Sequence, residues 1–270
     1  MINQRRALFL SHGGGPLPLL GDDAHAEMVS CLKEIAQTIA RPSAIIVVSA
    51  HWEARNATVT SGSSPSLIYD YSGFPPESYE IQYPCLGNPL LASSITKQLE
   101  KAGINTNSDS ARGFDHGLFI PLKIMYPEAD IPCVQLSLIN DLDPLAHIKI
   151  GCALQGLADP SMLLIGSGFS FHNMKAFFTP ETVDSKNANM SFEHWLHDTC
   201  SSQSISEEER TKRLVNWQAA PSARYCHPRE EHLLPLQVCY GFARTACTKS
   251  YELQILNKQS SMYLWEHKIK

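Results

Sequence analysis

The chain has 270 residues, 43% of them hydrophobic, and 22 Lys and Arg stand against 27 Asp and Glu for a net charge of −5. That is enough apolar material for a sizeable core. The composition excludes a basic nucleic-acid groove, since no Lys/Arg run is long enough to track a phosphate backbone. It also excludes a bilayer span, for which about 18 continuous apolar residues would be needed.

Taken in chain order, Leu8-Phe9-Leu10 reads as a short buried strand over residues 7–10. It stops at Ser11-His12 and then Gly13-Gly14-Gly15, where missing side chains permit backbone conformations that other residues block. Apolar positions recur at helical spacing over residues 23–39, and Pro42 marks a break. Strands follow at residues 44–49 and 57–60, a helix at 89–102, a strand at 134–138, a helix at 145–157 and a strand at 162–166. Two more helices are expected at 192–199 and 231–244, the second with Pro235 in its first turn or at a kink. A last strand is expected at 261–265, with a charged tail after it. Residues 65–88 and 178–191 read as long connections suited to lids or pocket walls. Short apolar strands alternating with helices predict one α/β domain over residues 1–270, with a central, mostly parallel sheet flanked by helices. The N-terminal Met-Ile-Asn-Gln-Arg-Arg lacks a signal-peptide core, so cytoplasmic location is the default expectation.

The eight cysteines (Cys31, Cys85, Cys133, Cys152, Cys200, Cys226, Cys239 and Cys247) never form Cys-x-x-Cys, which argues against a thiolate zinc site or a disulfide framework. The eleven histidines tell more. His12 ends the first strand, and His51 follows the second in Ser49-Ala50-His51-Trp52-Glu53. His116 lies in Gly113-Phe114-Asp115-His116-Gly117, and His172 lies just past Gly166-Ser167-Gly168. His232 lies in His227-Pro228-Arg229-Glu230-Glu231-His232. Ligands of open α/β sheets bind beyond the carboxyl ends of the strands, and parallel strands would gather His12, His51 and His172 on one edge. A single histidine at a strand end is more often a hydrogen-bonded structural residue. The coincidence of several points to a metal or acid–base site. His25, His147, His194, His197 and His267 read as surface or packing residues.

The glycine run lacks the Lys-Ser/Thr ending of a P-loop. Gly166-Ser167-Gly168 is not a nucleophile elbow, so Ser167 reads as a turn residue and a serine hydrolase is a weak rival.

In the order Leu8-Phe9-Leu10-Ser11-His12-Gly13, Ser49-Ala50-His51-Trp52, Gly113-Phe114-Asp115-His116-Gly117, His172-Asn173 and Glu231-His232-Leu233-Leu234-Pro235-Leu236, the chain resembles the class III extradiol ring-cleavage dioxygenases. Within them it is most similar to the 4,5-DOPA dioxygenase group, related to the catalytic subunit of protocatechuate 4,5-dioxygenase. The resemblance implies a metal on His12, His51 and His232, with His172 beside it as acid–base residue or as a fourth ligand in a resting zinc-loaded site. It places His116 on the substrate pocket. It implies Fe(II) for activity, Zn(II) as an occupant of the isolated protein, and a small catechol and O2 as partners. The ring would open next to, not between, its two hydroxyls. The subunit-type relatives use a glutamate as third ligand, and Glu230, Glu231 and His227 all lie near His232, so the third ligand is open at this point.

Two departures bear on the pocket. His12-Gly13-Gly14-Gly15-Pro16 is longer than the His-Gly-Ser-Pro common in the group, and Phe169-Ser170-Phe171 stands where smaller residues are usual. Trp52, Phe74, Phe114 and Phe171 are candidates for a ring slot, and Tyr79, Tyr83 and Arg112 for contacts with a substrate carboxylate or ring. Two rival functions use the same histidines: a zinc-dependent hydrolase or lyase, and a non-catalytic metal-binding protein. A homodimer is expected by base rate, and no nucleic-acid or membrane partner is expected.

Overall fold

The computed structural model describes residues 4–268. In chain order they form β1 (Gln4–Ser11), α1 (Ala26–Thr38), β2 (Ile45–Ala54), β3 (Ala57–Thr60), α2 (Pro89–Lys101), β4 (Thr106–Asp109) and α3 (His116–Met125). There follow β5 (Cys133–Ile139), α4 (Pro144–Leu154), β6 (Leu163–Gly168), α5 (Met174–Phe177), α6 (Val183–Ser201), α7 (Glu207–Val215), α8 (Ala223–Cys226), α9 (Leu234–Ala243), β7 (Lys249–Ile255) and β8 (Lys258–Lys268). The strands make one sheet in the order β4-β3-β5-β2-β6-β1-β8-β7. The four central strands, β5, β2, β6 and β1, run parallel, while β8 and β3 join them antiparallel. The expected α/β domain with a largely parallel sheet flanked by helices is what the chain forms.

The continuous apolar runs explain the centre. Leu8, Phe9, Leu10, Ile45, Val47, Val48, Leu163 and Ile165 are all fully buried, as a parallel sheet with both faces covered requires. Helix α9 packs on β6 and β1 and against α4, while α3 packs on β2 and against α1. The α4–α9 crossing is backbone-close: a Cβ on Gly151 would meet the Val238 carbonyl at 2.1 Å, and one on Gly241 the Ile148 carbonyl at 2.1 Å. Helix starts follow local chemistry. Asn88 and Asp143 cap α2 and α4 just before Pro89 and Pro144, and Thr182 with Ser185 forms a capping box on α6. Pro235 sits in the first turn of α9, where its missing N–H costs nothing.

Several expectations are corrected. The helix expected over 192–199 starts at Val183, so most of 178–191 is helix rather than connection. The helix expected from residue 231 starts only at Leu234, because residues 231–233 form the turn that carries His232. Helix α3 escapes periodicity because nine of its ten residues are buried and it contains Pro121. Strand β7 has no apolar run: Tyr251, Leu253 and Ile255 face inward between exposed Glu252 and Gln254, the alternation of an edge strand. It pairs with β8, which extends well beyond 261–265, across a turn at Leu256-Asn257 with φ of 51° and 60°. The short β4 and the Glu-rich α7 are further elements that the apolar pattern does not signal. Residues 269–270 of the expected tail and the side chain of His267 lie outside what is described. No described helix is long and apolar enough to cross a membrane.

Glu193 on α6 is a buried acid. One carboxylate oxygen accepts from the Ser261 hydroxyl, while Oε1 has no partner among the described residues. Burial pushes its carboxyl up from 4.5 to about 7, against the pull of hydrogen bonds from Ser261 and Ser170. Below the unfolded value the group is protonated in both states and has no effect. As pH rises from the unfolded to the folded value, the unfolded state ionises first, and the folded state loses up to about 3 kcal/mol, a loss that is complete above the folded value. Glu193→Gln is therefore expected to raise Tm at pH 8 and change it little near pH 4.5. Thermal unfolding at the two pH values checks this, and an equal shift at both would refute it.

Candidate metal centre

The site is assembled on the end of β6. Two glycines there make room for the turn before α9. A Cβ on Gly166 would lie 2.5 Å from the Pro235 carbonyl oxygen, and one on Gly168 only 2.1 Å from that of His232. The Phe169 N–H donates to the His232 carbonyl at 2.9 Å, and the His12 N–H donates to the Gly168 carbonyl at 3.0 Å. The last residue of β6 and the residue after it thus hold the backbones of both histidines. His51 belongs to β2, where pairing with β5 is interrupted: β2 runs from Val48 to Glu53 while β5 advances only from Leu136 to Leu138. The start of α3 closes on this irregular segment because Gly117 has no side chain. A Cβ there would meet Ser49 Oγ at 2.6 Å and His51 Cδ2 at 3.3 Å.

The five histidines expected at the site converge. Ring centroids of His12, His51 and His232 form a near-equilateral triangle of 4.8, 4.9 and 5.2 Å. His116 lies 3.9 Å from His51, and His172 stacks on His232 at 3.3 Å and 16°. Candidate ligand atoms of His12, His51 and His116 lie within 4.8 Å of one another, as do those of His172, Glu231 and His232. All five rings line one cavity of about 330 Å³.

Polar partners decide which nitrogen is free in four of the five rings. Ser167 Oγ donates its single proton to the Gly117 carbonyl at 2.5 Å. It must then accept from His12 Nδ1, 3.0 Å away, which leaves Nε2 as the free lone pair. His232 Nδ1 lies 2.9 Å from Glu231 Oε1, so it donates there and Nε2 is again free. The same carboxylate oxygen is 3.2 Å from His172 Nδ1. Asp70 Oδ1 accepts from both Nδ1 and the backbone N–H of His116, at 2.8 and 3.0 Å. His12 Nε2 and His51 Nε2 face each other at 3.0 Å.

Burial first, and then the neighbouring imidazoles, push His12 and His232 well below the usual histidine range, and His51 shifts the same way. Neutral imidazoles with Nε2 turned inward are the donor set that a divalent transition metal takes; His12 and His232 are fixed from behind by a hydroxyl and a carboxylate, while Asp70 Oδ2 stands 3.9 Å from His51 Nδ1. Burial pushes the Glu231 carboxyl up, but His172, its own backbone N–H and Arg229 outweigh this and hold it below the usual carboxylate range. Asp70 behaves likewise beside His116.

His227 points away and meets the Ser170 carbonyl at 2.6 Å, Glu230 pairs with Arg224, and Glu231 stands behind His232 rather than in the cavity wall. Ser167 is not a turn residue but a buried member of β6. The three glycines at 13–15 form a wall of the cavity. Gly13 adopts φ +82°, with His25 so close that a Cβ would lie 2.7 Å from it. The loop is latched there, for the Gly14 N–H donates to His25 Nε2 at 2.9 Å while His25 Nδ1 donates to Asp22. His25 and His147 are buried packing residues, His194 is exposed, and His197 lies against Ser250.

Of the ring-slot candidates, only Phe74 lines the cavity. Trp52 lies under Arg112, and Phe114 and Phe171 are core residues. Tyr71, Phe169, Phe177 and Phe178 take their place. Tyr79, Tyr83 and Arg112 line no part of it. Tyr83 donates to the Tyr126 carbonyl, Arg112 to Asp115, and Tyr79 packs on Tyr69 and Tyr71. The connection at 65–88 is a pocket wall as expected, and it brings Asp70, which no local motif singles out.

Comparison with known proteins agrees with this geometry. Residues 6–263 match the family described as the catalytic LigB subunit of aromatic ring-opening dioxygenase. The chain is 38% identical to dioxygenase tasH of Hapsidospora irregularis over 254 residues, 87% of this chain and 76% of that one. It is 36% identical to a 4,5-DOPA dioxygenase extradiol of Beta vulgaris, covering 89% of this chain and 88% of the relative. An uncharacterized protein of Escherichia coli K12 superposes with a TM-score of 0.76 at 28% identity, covering 97% of this chain and 99% of that one. The chain belongs to the LigB-type, class III extradiol dioxygenase family.

The contact at Gly168 is testable. Gly168→Ala places a methyl group against the His232 carbonyl and is expected to lower Tm by several degrees and metal uptake at least tenfold. Differential scanning fluorimetry and metal analysis check this, and wild-type values in both would refute it.

Proposed function

We propose that the protein is an Fe(II)-dependent extradiol dioxygenase that opens a catechol ring with O2, and that His12, His51 and His232 hold the metal. The observation that carries this reading is the triangle of neutral imidazoles, His12 and His232 buried and His51 partly exposed, at the floor of an apolar cavity, with two further histidines each anchored to a carboxylate. Iron, when bound, supplies the electron density that O2 needs to react with a singlet organic substrate, which zinc does not.

The remaining work falls to side chains. His172, with Nδ1 held at Glu231, has Nε2 available to take a proton from a catechol hydroxyl and return it as the ring opens. His116, with Nδ1 held at Asp70, has Nε2 available to hydrogen-bond a substrate or oxygen atom. Tyr71, Phe74 and Phe177 form the slot for the ring and exclude water from it. Membership of the 4,5-DOPA dioxygenase group is supported by relatives of that name in Beta vulgaris and in Escherichia coli, the latter 34% identical.

The test is to strip the purified protein of metal, reload it anaerobically with Fe(II) or Zn(II), and follow O2 uptake and ring-opened product on a catechol panel. Iron-dependent uptake matched by product is expected. Turnover with zinc and without O2 would replace this reading with a hydrolase or lyase. His172→Ala is expected to keep metal and lose turnover by two to four orders of magnitude, the usual scale of acid–base catalysis, whereas His12→Ala loses both. Equal metal loss in the two variants would make His172 a ligand first.

A further inference from the structure

Resting on the ring-cleavage reading above, we infer that the substrate is a catechol bearing an uncharged, apolar substituent rather than a catechol amino acid. The cavity is about 330 Å³, well beyond what a bare catechol ring fills. Beyond the histidines, the space is bounded by Leu17, Phe74, Met174, Phe177, Phe178 and Leu256, together with Tyr71, Phe169 and the glycine backbone. Among the described residues, no Lys, Arg, Asp or Glu contributes to the wall.

The cations nearby in sequence are engaged or face elsewhere. Arg229 is held by both oxygens of Glu53 at 2.5 and 2.7 Å, Lys258 by Glu181 at 3.0 Å, and Arg112 by Asp115. Lys175, beside Met174, is exposed and outside the wall. A substituent carrying a carboxylate and an ammonium would enter this space with no Lys, Arg, Asp or Glu to pair with, which is unfavourable beside an apolar wall. The walls reward the opposite chemistry.

The apolar lining also continues outward. Phe178 is 83% exposed and Met174 55% exposed, yet both line the cavity, so the mouth itself is apolar. Large side chains left in water at the rim of a cavity fit a substituent that reaches the mouth and covers them. An alkyl, prenyl or aryl group attached to the catechol ring meets these conditions.

The experiment compares butylcatechol, dihydrocaffeate and DOPA on iron-loaded protein, by kcat/KM and by anaerobic calorimetric binding. Butylcatechol is expected to exceed the two charged catechols at least tenfold in both. In Phe178→Arg, altered at an exposed rim position where folding is not at stake, the advantage over dihydrocaffeate is expected to shrink at least threefold. DOPA or dihydrocaffeate binding and reacting as well as butylcatechol would overturn the inference while leaving ring cleavage standing. An unchanged ratio in Phe178→Arg would overturn the role given to the mouth. Cleavage of none of the three, with iron fully bound, would overturn the ring-cleavage reading and this inference with it.

Discussion

The approach of the His232 turn to the end of β6 is the constraint on which the site depends. The carbonyl of His232 lies where a Cβ of residue 168 would be, and the Phe169 N–H bonds to it. Across the same strand end, Gly168 accepts from His12 and Ser167 orients its ring. Two histidines more than two hundred residues apart in the chain thereby share one six-residue strand as their support. A side chain at residue 168 would force the turn outward and open the triangle of imidazoles. Gly166 extends the same close approach to the Pro235 carbonyl, so α9 enters against the sheet with no freedom to slide.

Packing brings the rings together, and hydrogen bonds make the cluster tolerable. Five imidazoles in one buried cavity would repel one another if protonated, and burial with mutual proximity keeps the central three neutral. The anionic groups stand behind the rings: Glu231 behind His232 and His172, and Asp70 behind His116. Asp115, fully buried, is held by Ser49, Gln135 and Arg112, and ties the start of α3 to β2 beside His51. A single arrangement thus fixes the tautomers of four rings and leaves the rest of the cavity surface largely apolar.

Much of this is legible in the order of the residues alone. Leu8-Phe9-Leu10, Ile45 to Val48 and Leu163 to Ile165 are continuous apolar runs, and such runs become central parallel strands because both faces must be covered. The elements that stay hidden are those whose pattern is set by location. In α3 burial on all sides erases the helical period, while β7, at the sheet edge, shows only a weak alternation. The five site histidines stand out through their strand-end and glycine-rich settings. Their anchors do not: Asp70 lies in an irregular connection, and Ser167 has the local setting of a turn residue although it is a buried strand residue. The ring slot escapes for the same reason. Aromatic type does not say which side of a strand or loop a ring faces, so Trp52, Phe114 and Phe171 go to the core and Phe169, Phe177 and Phe178 to the cavity.

The sequence by itself determined the α/β class, the order of the central strands' apolar runs and the set of histidines available for chemistry, because apolar periodicity and residue type are local properties. Only the tertiary structure decided which histidines meet, which nitrogen of His12, His116, His172 and His232 is free, and that no Lys, Arg, Asp or Glu among the described residues lines the cavity. Those depend on strand order, on backbone approaches at glycine so close that a Cβ would meet a carbonyl oxygen at little more than 2 Å, and on side-chain direction, all of which are set by contacts between segments far apart in the chain.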